Sequence, residues 1–273
     1  MDRSGAFPGY RGAQAAAERA TTHNNRGLFA HLAGRLSEAE SEYRSALELH
    51  PENAAALSNY GFLLAQRGQH TEALSWYRRA IAAQPDYTLA HNNLGNSLLA
   101  LEDHAGAVAA YSEALVHDPD HPLAQRNLAI ALHASGDLAA AAVAYEAPLR
   151  HDPDNMELLY AAGVLHASIG ELDRAATHLH RLLSLDALHA AGWSTLGFVC
   201  LARRDYGSAI EHCARAVELA PGNPRAHYNL ALAHAAIGDL EAARHHRSEA
   251  VIAAPDFAEA QSALTSLQAL APQ

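Results

Sequence analysis

The chain has 273 residues, 49% of them hydrophobic and only 6% aromatic, and a formal net charge of -11 at pH 7 from 30 acidic and 19 basic side chains. Every basic residue is arginine, and an acidic surface repels phosphate backbones, so no nucleic acid partner is expected and a neutral or basic protein or peptide is favoured. Two cysteines are too few for a disulfide scaffold, and no run approaches the ~18 apolar residues of a spanning helix. The opening MDRSGAFPGY lacks the apolar core of a leader, and a soluble cytoplasmic chain without membrane insertion is expected.

Residues 1–19 contain Gly, Pro, Arg and an alanine run, and read as an extension that is partly disordered and partly an addition to the first helix. A repeat of 34 residues follows. Pro51, Pro85, Pro119 and Pro153 set its phase, which passes through Ala187 to Pro221 and Pro255 without insertion or deletion. The seven units are 20–53, 54–87, 88–121, 122–155, 156–189, 190–223 and 224–257. Position 8 holds Gly27, Gly61, Gly95, Ala129, Gly163, Gly197 and Ala231, and position 20 is alanine throughout, from Ala39 to Ala243. Small residues at two fixed phases predict two helices in close antiparallel contact, with positions 8 and 20 facing each other. Gly34, Gly68, Gly136, Gly170 and Gly238 at position 15 break the chain between them, and Asp103, Asp137, Asp205 and Asp239 follow as turn or cap residues. Proline at position 32 ends the second helix, whereas Pro122 and Pro224 open a first helix, where proline is tolerated. The tail, 258–273, has Ala258, Leu264 and Leu267 at helical spacing and reads as a capping helix.

This pattern resembles the tetratricopeptide repeat family from residue 20 to 257, and unit 3, HNNLGNSLLALEDHAGAVAAYSEALVHDPD, shows it well. The resemblance implies an all-α fold, a right-handed superhelical solenoid of seven helix-turn-helix repeats plus the C-terminal cap, with first helices lining the concave face. Such repeats bury their apolar surface only by stacking on neighbours.

Position 6 of the first helix carries Asn25, Asn59, Asn93, Asn127 and Asn229. Asparagine is a poor helix-interior residue, so another requirement selects it. An amide can match both groups of an extended peptide backbone. The column resembles the asparagine ladder in the repeat domain of O-linked N-acetylglucosamine transferases; that resemblance implies peptide-holding roles for Asn25, Asn59, Asn93 and Asn127, with Asn229 separate. The alternative is that these amides bond to neighbouring helices or solvate the groove. Further groove candidates are Asn24, Asn92, Arg126, Tyr160 and Tyr228 at position 5, Asn96 at position 9, and His31 and His133 at position 12. Without lysine, a carboxylate clamp for chaperone tails is excluded.

The array changes character midway. Position 24 reads Tyr43, Tyr77, Tyr111 and Tyr145, then Leu179, Cys213 and Arg247, and Pro148 falls where a second helix usually carries alanine. An irregularity between units 4 and 5 is expected, either a kink or a helix ending one turn early, with units 1–4 and 5–7 as separate recognition surfaces. The 19 histidines offer no legible ligand set: His178, His212 and His246 recur at position 23, about one helix diameter apart, too far to share one ion. Cys200 and Cys213 are out of register for a disulfide and read as core residues. With nearly every residue inside a repeat, no catalytic domain and no cofactor are expected. The favoured function is a non-catalytic interaction scaffold, with a substrate-recruiting module for a glycosyltransferase or similar enzyme as the alternative and a histidine-based metal-handling protein as the third. The exposed ends of such an array also suit homo-oligomer formation.

Overall fold

The computed structural model describes residues 8–258, and the capping helix expected at the C-terminus lies beyond them. Every regular element among the described residues is an α-helix, and they fall into two compact units that divide at Asp137/Leu138. In the first unit the helices are α1 (Pro8–Leu32), α2 (Leu36–Leu49), α3 (Ala54–Gln66), α4 (His70–Ala83), α5 (Thr88–Ala100), α6 (His104–His117) and α7 (Pro122–Ala134). In the second they are α8 (Leu138–Ala144), α9 (Glu146–His151), α10 (Met156–Ser168), α11 (Leu172–Leu185), α12 (Ala190–Ala202), α13 (Tyr206–Leu219), α14 (Pro224–Ala236) and α15 (Leu240–Ala253). Helix α1 begins twelve residues ahead of the repeat, at Pro8, so residues 8–19 are helical.

The hairpins close by a side-chain fit that spacing alone did not disclose. Position 8 faces position 24 as well as position 20. In the first unit the buried rings of Tyr43, Tyr77 and Tyr111 pack directly against Gly27, Gly61 and Gly95. A Cβ at Gly61 would stand 2.8 Å from Tyr77 Cε1, and one at Gly95 2.6 Å from Tyr111 Cε1. The glycine is therefore required by the tyrosine, and each buried ring stabilises its hairpin by about 2–3 kcal/mol. In the second unit smaller partners fill the same place, Leu179 over Gly163 and Cys213 over Gly197.

The turns between paired helices use a left-handed residue at position 15. Gly34, Gly68, Gly136, Gly170 and Gly238 adopt φ from 74° to 85°, and Glu102 and Arg204 are forced to 61° and 62° at the same place. The aspartates behave as caps: Asp103 accepts from Gly106 N, Asp205 from Ser208 N and Asp239 from Ala242 N. First helices are capped instead by position 34, as with Asn53, Asn155 and Asn223.

A second recurrent device links four of the repeats, units 3, 4, 6 and 7, to the turn before them. The position-4 side chain donates to the position-32 carbonyl six residues earlier: His91 Nε2 to Pro85 O at 2.8 Å, Gln125 Nε2 to Pro119 O at 2.7 Å and His227 Nε2 to Pro221 O at 2.9 Å. Trp193 Nε1 does the same to Ala187 O at 2.9 Å, so the turn lacking proline keeps its tie.

The expected irregularity falls inside unit 4 rather than between units 4 and 5. Its second helix is interrupted at Tyr145, which separates α8 from α9, and then continues to His151. The interruption is local and the helix is not shortened: Tyr145 keeps helical backbone angles, φ -67° and ψ -21°, and accepts from Leu149 N. Pro148 has no N–H for the Ala144 carbonyl, and the next bond, Leu149 N to Tyr145 O, is stretched to 3.3 Å. Unit 4 also combines Ala129 with Tyr145, where units 1–3 combine glycine with tyrosine.

Candidate functional site

In the first unit, the position-6 amides turn toward the preceding repeat. Asn59 Nδ2 donates to Asn24 Oδ1 at 2.9 Å, and Asn127 Nδ2 donates to Asn92 Oδ1 and Asn96 Oδ1, both at 3.0 Å. Asn96 also accepts from the Tyr111 hydroxyl at 2.7 Å, which couples the amide network to a core ring. Asn24 and Asn92 are buried, at 6% and 3% exposure, so both act as acceptors within the helix packing rather than as groove contacts. Asn25 is exposed on α1, while Asn93 is half-buried on α5 and accepts from Asn92 Nδ2 at 3.4 Å. Arg126 is half-buried on α7. His31 is buried and bound to Gln66 Oε1 at 2.6 Å, and its ring lies 5.3 Å from that of Phe62; His133 is exposed.

The second unit follows the same rule once: Asn229 Nδ2 donates to the Ser194 carbonyl at 3.2 Å, across to the preceding first helix. Here, however, the first helices α10, α12 and α14 enclose a cavity of about 350 Å³. Tyr160, Tyr228 and Asn229 line it, together with Phe198, Thr195 and Phe257. Tyr228 packs edge-on against Phe257 at 5.2 Å, and Tyr160 stands 5.1 Å from the His189 ring. Phe198 keeps 41% of its surface exposed. Among the described residues the only ionic side chain in the lining is Arg225. An open pocket lined by aromatic side chains, a few polar groups and one cation suits an inserted apolar side chain on a peptide backbone. Spacing placed Tyr160, Tyr228 and Asn229 on this face. It missed Phe198 and Phe257, although Phe198 occupies position 9, already part of the same stripe.

Neither cysteine is set up as a nucleophile. Burial pushes the Cys213 thiol up to about 12 and raises Cys200 as well, and both are free. Among the described residues no helix is long and apolar enough to cross a membrane.

Antiparallel helix pairs repeated at one spacing, with side chains reaching from one first helix to the next, define an all-α helical-repeat protein. The tetratricopeptide repeat profile matches residues 33–88, 92–155 and 160–224, and a second profile of the same description matches 201–267; the chain belongs to the tetratricopeptide repeat family. Members of this family are generally protein-interaction scaffolds rather than enzymes. No curated protein matches the sequence. Solved structures share the fold. The C-terminal part of a repeat-containing protein from Cytophaga hutchinsonii is 14% identical, with a TM-score of 0.66 over 87% of this chain and 98% of that one. The pilF protein of Pseudomonas aeruginosa is 19% identical, with a TM-score of 0.60 over 78% and 96%. Yeast Tom70 is 16% identical, with a TM-score of 0.51 over 94% of this chain and 54% of its own.

Proposed function

We propose that this chain is a non-catalytic scaffold that holds an extended segment of a partner protein, and that the anchoring contact is made by units 5–7. The aromatic cavity between α10, α12 and α14 carries this reading. An aromatic or branched aliphatic side chain of the partner would enter between Phe198 and Tyr228, and the Asn229 amide oxygen would accept from the partner backbone. One of its two Nδ2 hydrogens is already engaged with Ser194, which leaves the oxygen and one N–H for the partner backbone.

The asparagine column of units 1–4 takes a secondary place in this reading. Asn59 and Asn127 use their donors to join consecutive repeats, and of the four only Asn25 is exposed. A substrate-recruiting role beside a transferase would need that column to grip peptide backbone, which two engaged donors weaken. The net charge of -11 favours a neutral or basic partner overall, with Arg225 admitting one acidic group at the pocket.

Selection from a random peptide display library on the intact protein tests the proposal. Enriched peptides are expected to share one large apolar residue and to lose enrichment on Phe198→Ala/Tyr228→Ala. Equal enrichment on that variant would place binding elsewhere.

A further inference from the structure

We propose a divalent transition-metal site in the second unit, formed by Glu146, His166 and His178, of the kind that takes zinc. One ligand atom from each of the three lies within 4.8 Å of the others. Glu146 Oε1 stands 3.3 Å from His166 Nε2 and 3.2 Å from His178 Nε2. A tetrahedral ion with bonds of ~2.0–2.1 Å has ligand atoms about 3.3 Å apart, so these two separations already match the edges of such a site.

The state of His166 is the independent observation. Its side chain is fully buried, at 0% exposure. Its Nδ1 lies 3.0 Å from Glu171 Oε2, a carboxylate that can only accept, so Nδ1 carries the proton. In the neutral ring the other nitrogen is then a bare lone pair. That nitrogen, Nε2, is buried without a hydrogen-bond partner and faces a carboxylate oxygen. A bare Nε2 lone pair facing a carboxylate oxygen is repelled by it, unless a cation, either a proton or a metal ion, sits where the lone pairs converge. A carboxylate on the far nitrogen of a ligating histidine is also the usual outer support of such sites. Glu171 is itself steadied by Arg174 Nη1 at 3.3 Å.

Glu146 opens α9 immediately after Tyr145, while His166 and His178 lie on α10 and α11. The stacked rings of His166 and His178, 5.4 Å apart and 19° from parallel, set their nitrogens side by side. His178 at 13% exposure and Glu146 at 38% leave the metal open to solvent on one side. Three protein ligands of nitrogen and oxygen type with one open position suit a zinc-like ion. The ion would pin α9 to the next hairpin. The other histidine cluster, His227, His234 and His246, is differently committed: His227 Nε2 bonds to Pro221 O and His234 Nδ1 to Asp239.

The test is titration of chelator-stripped full-length protein with zinc chloride by calorimetry, with cobalt absorption as a second readout. Wild type is expected to show one site much tighter than its surface histidines, with the intense visible bands of tetrahedral cobalt. Glu146→Gln and His178→Gln should each weaken that site at least ~10-fold, and Glu171→Gln ~10–100-fold. His166→Gln empties a buried position and is informative only where circular dichroism shows a folded chain; the two solvent-reaching variants keep the test decisive. Absence of a tight site in wild type, or unchanged affinity in both Glu146→Gln and His178→Gln, overturns the proposal.

Discussion

Individual residues in this chain are chosen in pairs. Tyr77 needs Gly61 because a methyl group would stand 2.8 Å from a ring that is itself buried. Gly61→Ala is therefore expected to destabilise the protein by about 1–3 kcal/mol in urea unfolding, despite the better helix propensity of alanine. Glu102 shows the opposite case. It sits at φ 61° in an exposed turn where most other repeats place glycine. Glu102→Gly should raise stability by about 1 kcal/mol, read as a higher urea midpoint. His246 gives a pH dependence. Burial, then the neighbouring His245, His227 and His234, lower its folded pKa from 6.5 to about 4. The unfolded chain thus binds a proton that the folded chain refuses, and stability is lost as pH falls from about 6.5 to about 4. Thermal melts of His246→Gln should show a shallower loss than wild type across that window.

At the scale of the element, joints between repeats are made by side chains at fixed positions. Asn59 bonds to buried Asn24, and Asn229 to the Ser194 carbonyl, each 35 residues back. Asn59→Ala leaves a buried acceptor without its donor and should cost about 1–3 kcal/mol in chemical denaturation. The repeat phase, the turns and the second-helix caps were legible in the sequence because glycine, proline and aspartate have strong local preferences. The destination of the asparagines was not, since an amide serves a groove or a neighbouring helix equally well from spacing alone. The interruption at Tyr145 was half legible: Pro148 announced a disturbance, but only the backbone shows the helix resuming to His151. Glu146, His166 and His178 come together across an interrupted helix and two others, and no spacing within a single helix signals that.

For the molecule as a whole, a repeat of one length carries two chemistries. The first unit fills its inner positions with tyrosine over glycine and joins its first helices by amides. The second uses smaller core residues and presents Tyr160, Phe198 and Tyr228 around a cavity. The change after unit 4 was legible as the end of two runs, asparagine at position 6 and tyrosine at position 24. The cavity itself was not, because its depth depends on how three helices splay. The decisive measurement is the affinity of a display-selected peptide, by fluorescence anisotropy, for wild type, Phe198→Ala/Tyr228→Ala and Asn59→Ala. At least a ~10-fold weakening is expected for the aromatic pair and near wild-type affinity for folded Asn59→Ala, since a few aromatic anchors dominate such contacts. Loss of binding confined to Asn59→Ala, with the aromatic pair unaffected, would contradict that expectation.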